Sequence, residues 1–87
     1  MPEISRFYGI VIRMWRNEEH RRPHFHAKYG RYLIAVMIDD GTVIGKFPQR
    51  KTKLVRRWLD LHRQELLENW HLARIGQPPR YIEPLGD

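Results

Sequence analysis

Residues 20–29, His-Arg-Arg-Pro-His-Phe-His-Ala-Lys-Tyr, hold three of the five histidines in the chain, with Arg21, Arg22 and Lys28 among them. In an extended segment, alternate side chains share a face. His24, His26 and Lys28 then line one side, and Phe25, Ala27 and Tyr29 the other. Imidazoles beside cations support three kinds of chemistry. They exchange protons near neutral pH, they ligate metals, and with arginine and lysine they contact nucleic acid. The same histidines could instead simply fill an exposed sheet face.

As an acid and base pair, His24 and His26 would serve a metal-independent ribonuclease. One ring would take the 2′-hydroxyl proton and the other would protonate the leaving oxygen, with cations on the phosphate. Arg22, Lys28 and Arg31 would hold that phosphate, and Tyr29 would stack a base. His62 is a less favoured third catalytic candidate. As a metal site, His24 and His26 could chelate with His20 or His62 as a further nitrogen, but no carboxylate lies at a fixed motif spacing, so no metal or other cofactor is assigned. The preferred reading is a binding module without chemistry, which contacts RNA, DNA or a partner protein through Arg13, Arg21, Arg22, Lys28, Tyr29 and Arg31.

The composition sets the limits. A chain of 87 residues makes one domain with a thin core, to which a homodimer or another partner would add buried surface. It has no cysteine, which excludes disulfides, thiolate zinc sites and cysteine nucleophiles. No secretory h-region and no apolar run long enough to span a membrane is present, and mean hydropathy is −0.66, so a cytoplasmic protein without membrane contact is expected. The net charge is +6 and the pI is near 10.2, which favours anionic partners, although basic solubilising surfaces are common. Arg13, Arg16, Arg21, Arg22, Lys28 and Arg31 form one basic region. Arg50, Lys51, Lys53, Arg56, Arg57 and Arg63 form another.

The elements that position these residues follow from periodicity. Phe7 to Trp15 alternates and reads as a strand, Arg16 to Pro23 as a loop, and a second strand starts near His24. Tyr29-Gly30 signals a turn, Tyr32 to Ile38 a third strand, Asp39-Asp40-Gly41 a stop, and Thr42 to Phe47 a fourth strand. Short connections predict an α+β domain over residues 1–87, an antiparallel meander of three to four strands. A helix from about Lys51 to Ile75 ends at Gly76 and packs on one face of the sheet. Its apolar stripe is Val55, Trp58, Leu59, Leu66, Trp70 and Ala73. Residues 77–87 read as an extended tail fastened by Tyr81, Ile82 and Leu85.

Parity decides which way the histidines point. A two-residue Tyr29-Gly30 turn pairs Lys28 with Arg31, His26 with Leu33 and Phe25 with Ile34, so the histidines face away from the helix. A three-residue loop reverses every side chain of the second strand. The first arrangement is preferred, because it buries Phe25 and Ala27 and leaves the cations wet. His62 and Asn69, within the helix stripe, are expected to bond to backbone, since buried polar groups need partners.

Three separated segments carry a resemblance: Pro2-Glu3-Ile4-Ser5-Arg6-Phe7-Tyr8-Gly9-Ile10, Pro23-His24-Phe25-His26-Ala27-Lys28-Tyr29-Gly30, and Leu61-His62-Arg63-Gln64-Glu65-Leu66-Leu67-Glu68-Asn69-Trp70. With the Gly76-Gln77-Pro78-Pro79 ending, they resemble the short bacterial proteins of domain-of-unknown-function family 4160. That resemblance implies one half of a toxin–antitoxin-like two-gene module, with the protein encoded by the neighbouring gene as a partner. Where members usually read Pro-Pro-His-Phe-His, this chain has Arg22-Pro23-His24-Phe25-His26, a more basic and less rigid entry to the strand. The resemblance assigns catalysis to no residue.

Overall fold

The computed structural model describes residues 3–15 and 22–86. Five antiparallel strands lie side by side in chain order: β1 Glu3–Phe7, β2 Ile10–Arg13, β3 His24–Tyr29, β4 Tyr32–Met37 and β5 Val43–Ile44. One long helix, α1 Gln49–Arg74, follows them. The fold is therefore α+β, with an antiparallel meander and a C-terminal helix. The sheet has one strand more than the three to four expected.

The extra strand comes from Phe7 to Trp15, which is a hairpin and not a single run. Tyr8 and Gly9 both have positive φ, 50° and 78°, as a two-residue type I′ turn requires, and Phe7 pairs with Ile10 across it. A side chain at Gly9 would also come within 3.1 Å of the Tyr29 ring. The fourth expected strand, Thr42 to Phe47, contracts to Val43–Ile44. Gly45 ends it at φ 115°, where a Cβ would sit 2.9 Å from the Leu33 carbonyl oxygen.

Between β3 and β4 the turn is Gly30-Arg31, one residue later than expected, and Tyr29 pairs with Tyr32. Positive φ falls on Gly30, the first central residue, where a type II′ turn needs it. The later turn relieves Lys28 of facing Arg31. His26 now pairs with Ala35, Phe25 with Val36 and Lys28 with Leu33. Each pairing moves by two residues, so parity is that of the two-residue turn: Phe25 and Ala27 are buried towards α1, and His26 and Lys28 lie on the opposite face.

Val55, Trp58, Leu59, Leu66, Trp70 and Ala73 are buried along α1, with Trp58 at 5.4 Å from the Phe7 ring and 5.6 Å from Phe25. The helix begins two residues before Lys51 and ends in a Schellman motif. Gly76 N–H donates to the Ala73 carbonyl and Gln77 N–H to Leu72, with Gly76 at φ 80°. Past it, Asn69 exchanges two 2.8 Å hydrogen bonds with the Arg80 backbone. Ile82 is buried and its N–H donates to Ile4 at 2.7 Å, while Trp58 Nε1–H donates to Glu83 at 2.9 Å. Ile82 and the partly buried Leu85 hold the tail. Tyr81, expected to help, is exposed.

Candidate nucleic-acid interface

The face of the sheet turned away from α1 is ordered in rows by strand register. Glu3, Arg13, His26, Ala35 and Ile44 form one row across all five strands, and Arg6, Val11, Lys28 and Leu33 form the next, with Arg6 bound to Glu3 at 2.8 Å. Members of a row share a side of the sheet. Leu33 and Ile44 are 57% and 60% exposed, and Trp15, just past β2, is 39% exposed. These open apolar side chains on one face of the sheet make it a candidate contact surface, as do Leu61 and Leu67 on α1. Val11, Arg13, Trp15, His26, Lys28 and Leu33 enclose a concavity of about 220 Å³.

The rings on this side stand in sequence. Trp15 meets His26 edge-on at 5.7 Å and 90°, His26 meets His24 at 5.1 Å and 77°, and His24 meets Trp70 at 5.1 Å. The contact with Trp70 departs from the expectation that both histidines lie clear of the helix. α1 is about twice as long as a six-residue strand, and Trp70, from its C-terminal half, reaches His24 where β3 begins. His24 is therefore buried, 7% exposed, and its Nδ1–H donates to the Arg22 carbonyl at 2.8 Å. His26 stays half-buried on the open face.

The expected cations part company. Arg22 grips the β4–β5 turn, at 2.6 Å from Asp39 and 2.9 Å from Asp40, which raises its own pKa. Hydrogen bonds from the Thr42 hydroxyl and N–H, with Arg22 beyond them, hold the Asp40 carboxyl far below its ordinary range. From the other side, Arg63 donates to Ile38 O and Arg56 to Gly41 O. Lys28 is exposed and Arg13 half-buried, and among the described residues neither forms an ion pair. Tyr29 lies on the helix side, 6.2 Å from Phe47 with Lys51 Nζ 4.7 Å over its ring. Arg31, at the turn, stacks 5.7 Å from Tyr32, which meets Phe47 at 6.5 Å. This aromatic bridge joins the two basic regions. Between Arg21 and Leu59 the only acids are Asp39 and Asp40, the pair that Arg22 engages.

His62 stands apart from the other two histidines. Its ring lies 5.7 Å from Trp58 and its Nδ1 2.6 Å from Glu65 Oε1, at a kink where the helix takes φ −123° and ψ 22°. It pairs with a carboxylate where a backbone partner was expected, while Asn69 does bond to backbone. His20 and Arg21, with the rest of residues 16–21 of the loop expected from Arg16 to Pro23, lie outside the described residues. Among the described residues no three histidines or acids converge on a metal position, and no helix is long and apolar enough to cross a membrane.

Val11, Trp15, Leu33 and Ile44 were not singled out by sequence reasoning. Val11, Arg13 and Trp15 do alternate with the buried Ile10, Ile12 and Met14, and this was the available sign. Comparison with curated proteins and with solved structures finds no match. A family model does match residues 9–71, described as domain of unknown function DUF4160, and it spans most of the chain. The β2–β3 face and all but the last three residues of the helix that backs it lie within the matched segment, and the chain belongs to the DUF4160 family.

Proposed function

We propose that the protein is a binding module for single-stranded nucleic acid, and that the strand lies across the open face of the sheet. The observation that carries this reading is the uncovered row structure, in which exposed apolar and aromatic side chains alternate with Arg13 and Lys28. Phosphates need cations, of which Lys28 is exposed and Arg13 shares its row with Glu3, and bases need flat or apolar surface; single-strand sites combine the two. The basic start of α1, with Arg50, Lys53 and Arg57 exposed, extends the positive field beyond Arg31 and would draw an anionic chain to this end of the molecule.

Binding is favoured over RNA cleavage by the state of His24. A proton-transfer pair must reach its substrate. His24 is walled by Trp70 and His26 and tied to Arg22.

Fluorescence anisotropy with a labelled single-stranded RNA, across roughly 50 to 200 mM salt, tests the reading. Log affinity should fall linearly with log salt at about −0.7 per neutralised phosphate, so Arg13→Ala with Lys28→Ala should flatten the slope by about 1.4. An unchanged slope would remove the open face from the contact. Growth after expression alone and with the neighbouring gene bears separately on the two-gene expectation.

A further inference from the structure

We propose that the concavity among β2, β3 and β4 is a seat for one unpaired nucleobase. This rests on the nucleic-acid reading above and narrows it from a charged surface to a site. At about 220 Å³, the space falls below the roughly 300 to 1,000 Å³ of pockets that enclose drug-sized ligands. It suits a single planar ring system and leaves no room for the sugar and phosphate attached to it.

Its walls sort by chemistry in the same way. Val11 and Leu33 are separated across the sheet by Lys28, so two aliphatic walls flank the stem of a lysine. Trp15 and His26 close another side with rings at right angles, which offers an inserted base both a ring face and a ring edge. Lys28 is exposed, and Arg13, half-buried opposite Glu3, lines the same concavity; on this proposal their charged heads meet phosphates that remain outside. Long cationic side chains behave this way, with stems along apolar surface and heads in water.

A base can enter only if it is free of its partner. In a duplex the rings are stacked and paired, and extruding one costs a few kcal/mol. The site should therefore discriminate single strands from duplexes, and base-bearing strands from bare backbone. An acidic partner protein could present an apolar side chain to the same place, but it would be indifferent to nucleobases.

The test is anisotropy at one moderate salt concentration with three labelled probes: a short oligouridylate, an abasic ribose-phosphate strand of equal length, and a blunt RNA duplex. The oligouridylate should bind about tenfold or more tighter than the abasic strand, as the loss of one stacked base implies. Trp15→Ala should bring the two together by weakening only the oligouridylate, and Trp15→Phe should restore most of the difference. Leu33→Ala, at an exposed position that leaves the fold intact, should narrow it as well. Equal affinity for oligouridylate and abasic strand, with the salt slope retained, would overturn the base seat and leave the phosphate reading standing. Duplex binding as tight as single-strand binding would do the same. Failure of all three probes to bind would overturn both.

Discussion

The two faces of β3 are built from alternate residues of one six-residue strand, yet they have opposite fates. Phe25 and Ala27 are wholly buried beneath α1, while His26 is half-covered and Lys28 lies open. The neighbouring strands repeat the division. Ile12 and Ile34 lie under the helix, and Arg13 and Leu33 stand on the other side. A protein with a single long helix can cover only one side of a sheet, and a chain needing nothing from the second side would be expected to make it polar. Here it carries Leu33, Ile44 and Trp15 instead. The difference teaches that the burial that stabilises the fold lies on one face, and it leaves the other for the recognition we propose.

The strongest way to break this division is through the covered face. Trp58→Ala removes the ring packed on Phe7 and Phe25 and should cost about 3 to 5 kcal/mol, a large part of the roughly 4 to 13 kcal/mol that a chain of this size has. Urea unfolding would read it. Asn69→Ala leaves the Arg80 N–H and carbonyl without their side-chain partner and should cost about 1 to 3 kcal/mol, with earlier proteolytic cleavage after Gly76 as the tail loosens.

A smaller effect is expected at the rim joining the faces, where Arg22 holds Asp40. The folded state keeps the Asp40 carboxyl below its ordinary 3.8, so its contribution is complete above that pH and is lost as pH falls below it. Thermal unfolding of Asp40→Asn should therefore respond less to acidification below about pH 4 than that of the wild type. The smallest stability effect belongs to the open face. Trp15→Ala and Lys28→Ala should each change stability by less than about 0.5 kcal/mol. A loss well above that would make these residues structural and end the contrast.

Much of this arrangement was legible in the chain because it depends on local period. The helix stripe from Val55 to Ala73 and the parity of His24 and His26 both follow from spacing, and parity survived a misplaced turn because the displacement was even. What escaped depends on conformation or on distant partners. Tyr8 turns a hairpin at positive φ, which tyrosine rarely adopts, so the run from Phe7 to Trp15 looked continuous. The capture of Arg22 by Asp39 joins residues from two different connections, and nothing near Arg22 announces it. Trp15 read as the end of a strand, and its ring contact with His26 emerged only once β3 lay beside it.

The central claim, that the open face receives the strand, is tested most directly by amide chemical-shift mapping of the wild-type protein titrated with a short single-stranded oligouridylate. The account predicts saturable shifts at Ile10–Arg13, His26–Lys28 and Leu33–Ala35, together with the Trp15 indole N–H, and little change along 61–74 of α1. Shifts confined to the helix, with the β2 and β3 amides unmoved, would contradict it.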